Sequence, residues 1–284
     1  MSIAEKLTTI AENEQRVYEA GKNNFVNACT NGGTDFKSFY YGREVTTLPK
    51  IDTSNGTNFT SMFSNCKALI TVPQLNTSNG IIFNSMFRDC QNIETIPQID
   101  TSKGTDLSYM FYQCYKLKTI PQLDLSKGET FFYMFNSCKE LENIPQLDTS
   151  NGTNFNSMFN ACSKLTVIPP LDTSKGEKFG STFHACYKLE TIPRINITNA
   201  TTVSGMFYNC KALKNITFEG NIKITLDMSY CTALTKDSLL HILNVLYNYS
   251  GTTTTYKLTL GTTNLAKLTD EEKAIATAKG WTLA

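Results

Sequence analysis

Residues 110–133 read MFYQCYKLKTIPQLDLSKGETFFY, and residues 134–157 read MFNSCKELENIPQLDTSNGTNFNS. Placed one above the other without a gap, both stretches begin with Met-Phe and contain a Cys, an Ile-Pro, a Gln-Leu-Asp and a Gly in the same positions. The 24-residue step continues in both directions and forms a column of cysteines: Cys66, Cys90, Cys114, Cys138, Cys162, Cys186 and Cys210. Prolines from Pro49 to Pro193 and phenylalanines from Phe39 to Phe207 keep the same register. Such columns indicate repeated units that bury their apolar residues against one another.

A unit of this length falls within the range of about 20–29 residues that is typical of leucine-rich repeats. Leu117, Ile120 and Leu123 have the spacing of inward residues in a short strand and the corner after it, and Pro121 suits a strand edge. The Asp-x-Ser-Lys-Gly segment predicts a turn, and the Met-Phe-x-x-Cys segment has the spacing of a short helix. We therefore predict an α/β repeat, a right-handed leucine-rich-repeat solenoid of about eight coils with a short parallel sheet, over residues 32–235.

The segment before the repeats, residues 1–31, has a short heptad pattern. Ile3, Leu7, Ile10 and Val17 lie on one side of a predicted helix, for which Ser2 is a suitable N-cap. Two interpretations stay open for this helix. It either folds onto the first coil as a cap or joins copies of the chain as a coiled coil.

The segment after the repeats, residues 236–284, is predicted to be an α/β capping unit. Its pattern indicates an amphipathic helix through Leu239 and Leu246, then a strand over 253–260. Thr269 and Glu272 form a capping box for a second helix, which ends at Gly280. A last strand is expected over 281–283. This unit would cover the apolar end of the repeat stack.

The composition excludes several classes of protein. With 284 residues, 40% of them hydrophobic, the chain can form a substantial core, so general disorder is excluded. The 26 basic and 25 acidic residues nearly cancel, so nucleic acid is not expected as a partner. No apolar run approaches the ~18–20 residues of a spanning helix, and the amino terminus lacks the apolar core of a signal peptide. We expect synthesis in the cytoplasm and no membrane insertion.

The cysteine column could hold a metal, form disulfides or line the core. No CxxC motif is present, and thiols one coil apart cannot close a tetrahedron around zinc. The total of 9 cysteines is odd, and side chains of one column project in parallel, which disfavours a disulfide framework. We predict that the column consists of buried structural thiols. Cys29 lies outside the register and is the candidate for a reactive thiol.

Other chemical candidates are weak. His184 lies two residues from Cys186, but its slot is outward in the repeat while the cysteine slot is inward. A carboxylate column, represented by Asp52 and Asp124, suits turn capping better than calcium, because one carboxylate per coil is too few ligands. No phosphate loop, nucleophile elbow or HExxH pattern occurs. We expect no catalytic residues, no cofactor and no metal.

Candidate ligand-binding residues occupy slots that the repeat leaves free. Irregular tyrosines in outward slots are Tyr109, Tyr112, Tyr115, Tyr133, Tyr187 and Tyr208. A second set beside the prolines comprises Gln74, Gln98, Gln122 and Gln146. Tyrosines provide large contact area at low entropic cost, which is typical of binding surfaces. The alternative to ligand binding for the tyrosines is neutral drift at surface positions. For the glutamines, it is that they keep the surface soluble and form hydrogen bonds between coils.

The unit MFxxCxxLxxIPxLDTS resembles the BspA-like leucine-rich repeats of bacterial surface proteins. The steady Ile-Pro-x-Leu and the invariant period depart from that pattern. The segments SIAEKLTTIAENEQRVYEAGK and TLGTTNLAKLTDEEKAIATAKGWTLA resemble flanks of repeat arrays in proteins of Firmicutes and their phages, including tail-associated ones. The resemblance implies adhesion or receptor binding, with a protein or glycan on a cell surface as partner. We expect a phage or phage-tail-like receptor-binding protein, associated with a virion or tail. A bacterial surface adhesin is the alternative, and a cytoplasmic scaffold or a Cys/His enzyme is more remote.

Overall fold

The computed structural model describes residues 33–284. The predicted N-terminal helical segment, its two interpretations and Cys29 lie outside these residues. Parallel β-bridges link residues about one coil apart, beginning with Asp35 to Asn58 and Asn58 to Ile82. The series continues through Asp106, Thr130, Asn154 and Lys178 to Thr202. Because equivalent residues of successive coils are adjacent, the prediction of a repeat solenoid is confirmed.

The segment that closes each coil is a series of turns, so the prediction of a short return helix is wrong. The N–H of Met110 bonds to Leu107 O within its own coil (3.3 Å), whereas the N–H of Tyr109 reaches Phe132 O in the next coil (2.8 Å). Tyr109 and Gln113 both have φ of 58°, in the left-handed region. A helix would direct its interior N–H groups along its own axis. Here alternate N–H groups join neighbouring coils, so the α part of the predicted α/β repeat applies only after residue 235.

Regular strands occur in the repeats only in the last two coils of the described chain. β1 (Thr191–Asn196) pairs in parallel with β2 (Asn215–Glu219), with Ile192 opposite Ile216. Thr217 occupies the slot that holds proline in the preceding coils. Proline has no N–H to donate to a ladder, so the missing proline permits β2 to pair with β1, whose own Pro193 lies at a register shift between Ile192 and Ile195.

The core is a set of side-chain columns that run the length of the stack. The Phe63 and Phe87 rings lie parallel at 5.3 Å, and the spacing along this column from Phe63 to Phe207 stays between 5.3 and 5.8 Å. A second phenylalanine column explains the glycines. A Cβ on Gly152 would lie 2.6 Å from the rings of both Phe131 and Phe155. The glycine column ends at Ala200, where Val203 replaces phenylalanine and leaves room.

The chain after the repeats contains three helices and shares a second sheet with the final coil. β3 (Leu226–Asp227), β4 (Tyr256–Thr259) and β5 (Trp281–Leu283) are parallel in the order β3-β4-β5. The helices are α1 (Lys236–Asn244), α2 (Gly261–Leu265) and α3 (Asp270–Ala278). The predicted capping box is present, because Thr269 Oγ1 accepts from Glu272 N and Glu272 accepts from Thr269 N.

Helix α1 supplies hydrogen-bond acceptors to the outer edge of β2. Ser238 Oγ accepts from Ile216 N (3.3 Å), and His241 Nε2 accepts from Phe218 N (3.0 Å). These backbone N–H groups would otherwise have no partner in a following coil. His241, which has no evident partner in the sequence, therefore acts as a backbone cap in the fold.

Candidate functional site

The cysteine column lies in the solenoid interior. Every member is fully buried and free, as is Cys231 after the change of register. Each thiol is directed at a backbone carbonyl of the preceding coil, as in Cys114 Sγ to Phe87 O (3.1 Å). Burial raises the pKa of Cys66 to about 11 and that of Cys210 to about 12. These thiols stay protonated at neutral pH, and a protonated thiol is a poor nucleophile and a poor metal ligand.

His184 and Cys186 have different surroundings. The Cys186 thiol donates to Phe159 O at 3.0 Å in the core. The His184 ring stacks on Tyr208, with centroids 4.9 Å apart and planes inclined by 7°. The thiol proton is thus used by a backbone carbonyl, and the imidazole belongs to a surface aromatic cluster. Within residues 33–284, no group of three or more His, Cys, Asp or Glu side chains could hold a metal ion.

The glutamines beside the prolines form a ladder across the exposed side of the coils. Gln98 Nε2 donates to its neighbour Ile99 O (3.2 Å) and to Gln122 O in the next coil (2.8 Å). Gln74, Gln122 and Gln146 repeat both bonds. The side-chain amide thus supplies an inter-coil hydrogen bond beside a proline that has no N–H of its own. The ligand-binding role of these glutamines stays a prediction, and their amide donors are already engaged.

The aspartates of the turn column cap their own turns. Asp52 Oδ1 accepts from Ser54 N at 2.9 Å, and Asp172 Oδ1 accepts from Ser174 N at 3.0 Å. The backbone hydrogen bonds lower the pKa of both carboxyl groups, because they favour the charged form. The arrangement is that of an Asx turn, one per coil.

Three of the six predicted tyrosines come together on the turn face of two adjacent coils. We call this cluster, with its neighbours Arg88 and Phe132, the tyrosine patch: Arg88, Tyr109, Tyr112, Phe132 and Tyr133. The rings of Tyr109 and Tyr133 stack at 5.1 Å with an angle of 15°, and Phe132 lies edge-on to Tyr133 at 4.4 Å. Tyr112 lies 5.6 Å from Tyr109 and 5.8 Å from Tyr133. All four rings are half-buried, so they form a fixed aromatic surface that solvent reaches.

The patch combines a left-handed backbone, which it shares with the other coils, and a cation that lies over two of its rings. Tyr109 and Tyr133 have φ of 58°, and serines at the same slot of other coils, such as Ser85 and Ser157, have φ of 58° and 55°. The Arg88 guanidinium lies 5.3 and 5.2 Å from the ring centres of Tyr109 and Tyr112, a cation–π geometry. It also contacts Asp89 at 3.2 Å, so the positive charge has a carboxylate beside it.

The other predicted tyrosines lie outside the patch. Tyr115 has the Lys139 ammonium 4.7 Å from its ring centre and lines a shallow depression with charged side chains. Tyr187 is 50% exposed. Tyr208 joins His184 and lies 4.1 Å from Tyr230. The structure thus divides the predicted set into one cluster of three, one residue in a second cluster, and two separate tyrosines.

Sequence reasoning missed Phe132, Arg88 and Tyr230 as members of aromatic clusters. A signal for Phe132 exists in the register, because from residue 60 onward its slot otherwise holds small or polar residues: Thr60, Asn84, Ser108, Asn156, Gly180 and Ser204. Arg88 shares the column of Tyr112 one coil earlier, so the repeat places it beside that ring. Tyr230 follows the change of register and falls in no column.

The family described as "Mycoplasma protein of unknown function, DUF285" matches residues 34–144 and 129–238, well over half of the chain. The chain belongs to this family. The matched residues span the 24-residue repeats, and the predicted membership of a BspA-like repeat family is confirmed. The resemblance of the flanking segments to phage proteins stays a prediction.

Two solved structures are similar to this DUF285 protein. A leucine-rich-repeat protein from T. pallidum is 18% identical, with a TM-score of 0.39 over 71% of this chain and 82% of its own. One from Bacteroides ovatus ATCC 8483 is 15% identical, with a TM-score of 0.38 over 84% of this chain and 65% of its own. No curated protein matches the chain. Among residues 33–284, none of the helices has the length and apolar character needed to cross a membrane.

Proposed function

We propose that this protein is a non-catalytic attachment module that binds a cell-surface molecule through the tyrosine patch. The observation that carries the proposal is the clustering of three tyrosines and a phenylalanine in outward slots that hold serine, glycine or other non-aromatic residues in most coils. Tyr109 stacks on Tyr133 and Phe132 lies edge-on to both rings, and these contacts favour binding by lowering the entropy lost on contact.

The membership of a BspA-like repeat family supports a surface or protein-binding role. Within that role, we propose attachment of a phage tail or phage-tail-like particle to its host, on the resemblance of the flanking segments. Display on a bacterial surface as an adhesin is the alternative, on the resemblance of the repeat itself. The two settings predict different target cells, because a tail protein binds bacteria and an adhesin of this type binds host tissue.

The test measures binding of the fluorescently labelled full chain to bacterial cells and to cultured animal cells. Tyr112→Ser is compared with Tyr187→Ser, an exposed tyrosine outside the patch. Serine fits the Tyr112 slot, since Ser64 occupies it in an earlier coil. We expect binding to bacteria that falls at least tenfold in Tyr112→Ser and is unchanged in Tyr187→Ser. Binding to animal cells alone would favour the adhesin, and binding to neither, or equal binding by both variants, would overturn the proposal.

A further inference from the structure

We infer that the tyrosine patch binds a neutral glycan, with pyranose rings of the saccharide lying against its aromatic side chains. This inference rests on the proposed function and names the class of molecule that the patch recognises. Three properties of the patch favour a glycan over the other surface polymers: the use of its backbone groups, its charge, and the combination of rings with hydroxyl groups.

Backbone groups under the patch are already engaged in the solenoid. The N–H of Tyr109 bonds to Phe132 O (2.8 Å), and the N–H of Tyr133 bonds to Asn156 O (3.0 Å). The carbonyls of both tyrosines accept hydrogen bonds within their own turns, at 3.1 and 3.2 Å. An extended peptide binds a sheet edge by pairing with free backbone groups of this kind. The patch therefore recognises its ligand through side chains, which disfavours a peptide that adds as a strand.

The charge of the patch favours a neutral ligand. Arg88 is its one cationic side chain, and its Nε lies 3.2 Å from Asp89 Oδ2. The other four members are uncharged aromatic residues. Sites for sulfated or phosphorylated polymers need several cations that the ligand can pair with. With one cation already beside a carboxylate, the patch has little attraction for a polyanion.

The chemistry of the patch matches that of a sugar ring. A pyranose has a face of C–H groups and a rim of hydroxyls, and the tyrosines offer apolar ring surface with hydroxyl groups at the edge. Gln113 Nε2 donates to Tyr112 Oη at 2.9 Å, so the phenol proton is not used in this bond and can be donated to a ligand. The rings of Tyr109 and Tyr133 are held by their mutual stacking, so little side-chain entropy is lost when a ligand binds.

The experiment treats the cells to which the protein binds with either sodium periodate, which cleaves sugar diols, or proteinase K, which removes surface protein. We expect periodate to reduce binding at least tenfold relative to mock-treated cells, and proteinase K to leave it unchanged. The residual binding after periodate should equal that of Tyr112→Ser on untreated cells. Dextran sulfate, a polyanion, should not compete.

The outcomes separate this inference from the proposed function. Loss of binding after proteinase K but not after periodate would overturn the glycan and leave attachment through the patch standing. Competition by dextran sulfate would show that the patch binds an anionic polymer, and would overturn the inference that its ligand is neutral. Absence of binding to any untreated cell would overturn the proposed function itself.

Discussion

The two coils that carry the aromatic residues of the tyrosine patch and the coil that follows them have the same backbone and different surfaces. Tyr109 N and Tyr133 N bond to the next coil at 2.8 and 3.0 Å, and Ser157 N does so at 2.9 Å. The φ values at these three positions are 58°, 58° and 55°. The buried columns and the inter-coil hydrogen bonds therefore set the backbone, and the outward side chain has little influence on it. Differences between coils in binding should come from these outward side chains alone.

The largest expected effect is the same in both regions, because it concerns the shared core. Phe111→Ala, beneath the patch, and Phe159→Ala, in the coil without it, each remove a fully buried ring from one stacked column. Each should lower the free energy of unfolding by about 3–5 kcal/mol. Urea unfolding monitored by circular dichroism measures both. A difference of more than about 1.5 kcal/mol between them would show that the two regions are not built alike.

Alkaline pH should destabilise every coil through the thiol column. Cysteine in an unfolded chain ionises near pH 8.5, whereas burial raises the pKa of Cys66 to about 11 and that of the inner thiols further. The unfolded state thus releases protons first, so this contribution is complete below about pH 8.5 and is lost as the pH rises through 11. The loss of stability is measured as the decrease in melting temperature between pH 7 and pH 11. Cys114→Ala should show a smaller decrease across that range, and an equal decrease would assign the effect to other groups.

A smaller effect should separate the coils that contain the glutamine ladder from the last coils. Gln98→Ala removes two hydrogen bonds, one of them to the next coil, and should cost about 1 kcal/mol. Arg194→Ala, at the equivalent slot in β1, leaves the regular backbone pairing intact and should cost about 0.5 kcal/mol or less. Urea unfolding compares the two variants. Equal costs would mean that the ladder does not replace the missing backbone bonds.

The smallest effect on stability is expected at the left-handed position of the patch. Tyr109→Gly relieves the backbone strain but removes ring contacts and adds chain entropy to the unfolded state, so the unfolding free energy should change by less than about 1 kcal/mol. Gly205 occupies this slot in a later coil with φ of 64°, which shows that the backbone accepts it. Binding to target cells should fall nevertheless. A large loss of stability would mean that Tyr109 is a structural residue.

Much of the interior could be predicted from the sequence because a fixed period places equivalent residues next to each other. The buried cysteines, the stacked phenylalanines and the Asp-Ser turns all follow from their columns. The return segment could not be predicted. Met, Phe and Cys at positions 110, 111 and 114 have a spacing that fits both a helix and a series of turns. A single unit does not reveal whether its N–H groups bond within the coil or to the next one.

The candidate site was predictable only in part. Tyr109 and Tyr133 are one period apart, so their contact is implicit in the register. The same holds for Arg88 and Tyr112, whereas the contact of Phe132 with Tyr133 depends on side-chain directions that the period does not give. The pairing of β1 with β2 coincides with a single substitution, Thr217 for proline in β2, while β1 retains Pro193 at the register shift.

The most direct test of the central claim is a binding isotherm of the double variant Tyr112→Ser/Tyr133→Ser on target cells, measured together with its melting temperature. Serine occurs in both slots elsewhere in the chain, at Ser64 and Ser157. If the patch is the binding surface, the affinity of the double variant for target cells should fall by about two orders of magnitude, as expected for the loss of two aromatic anchors. Its melting temperature should stay within about 4 °C of that of the unmodified protein. Unchanged affinity in a folded double variant would contradict it.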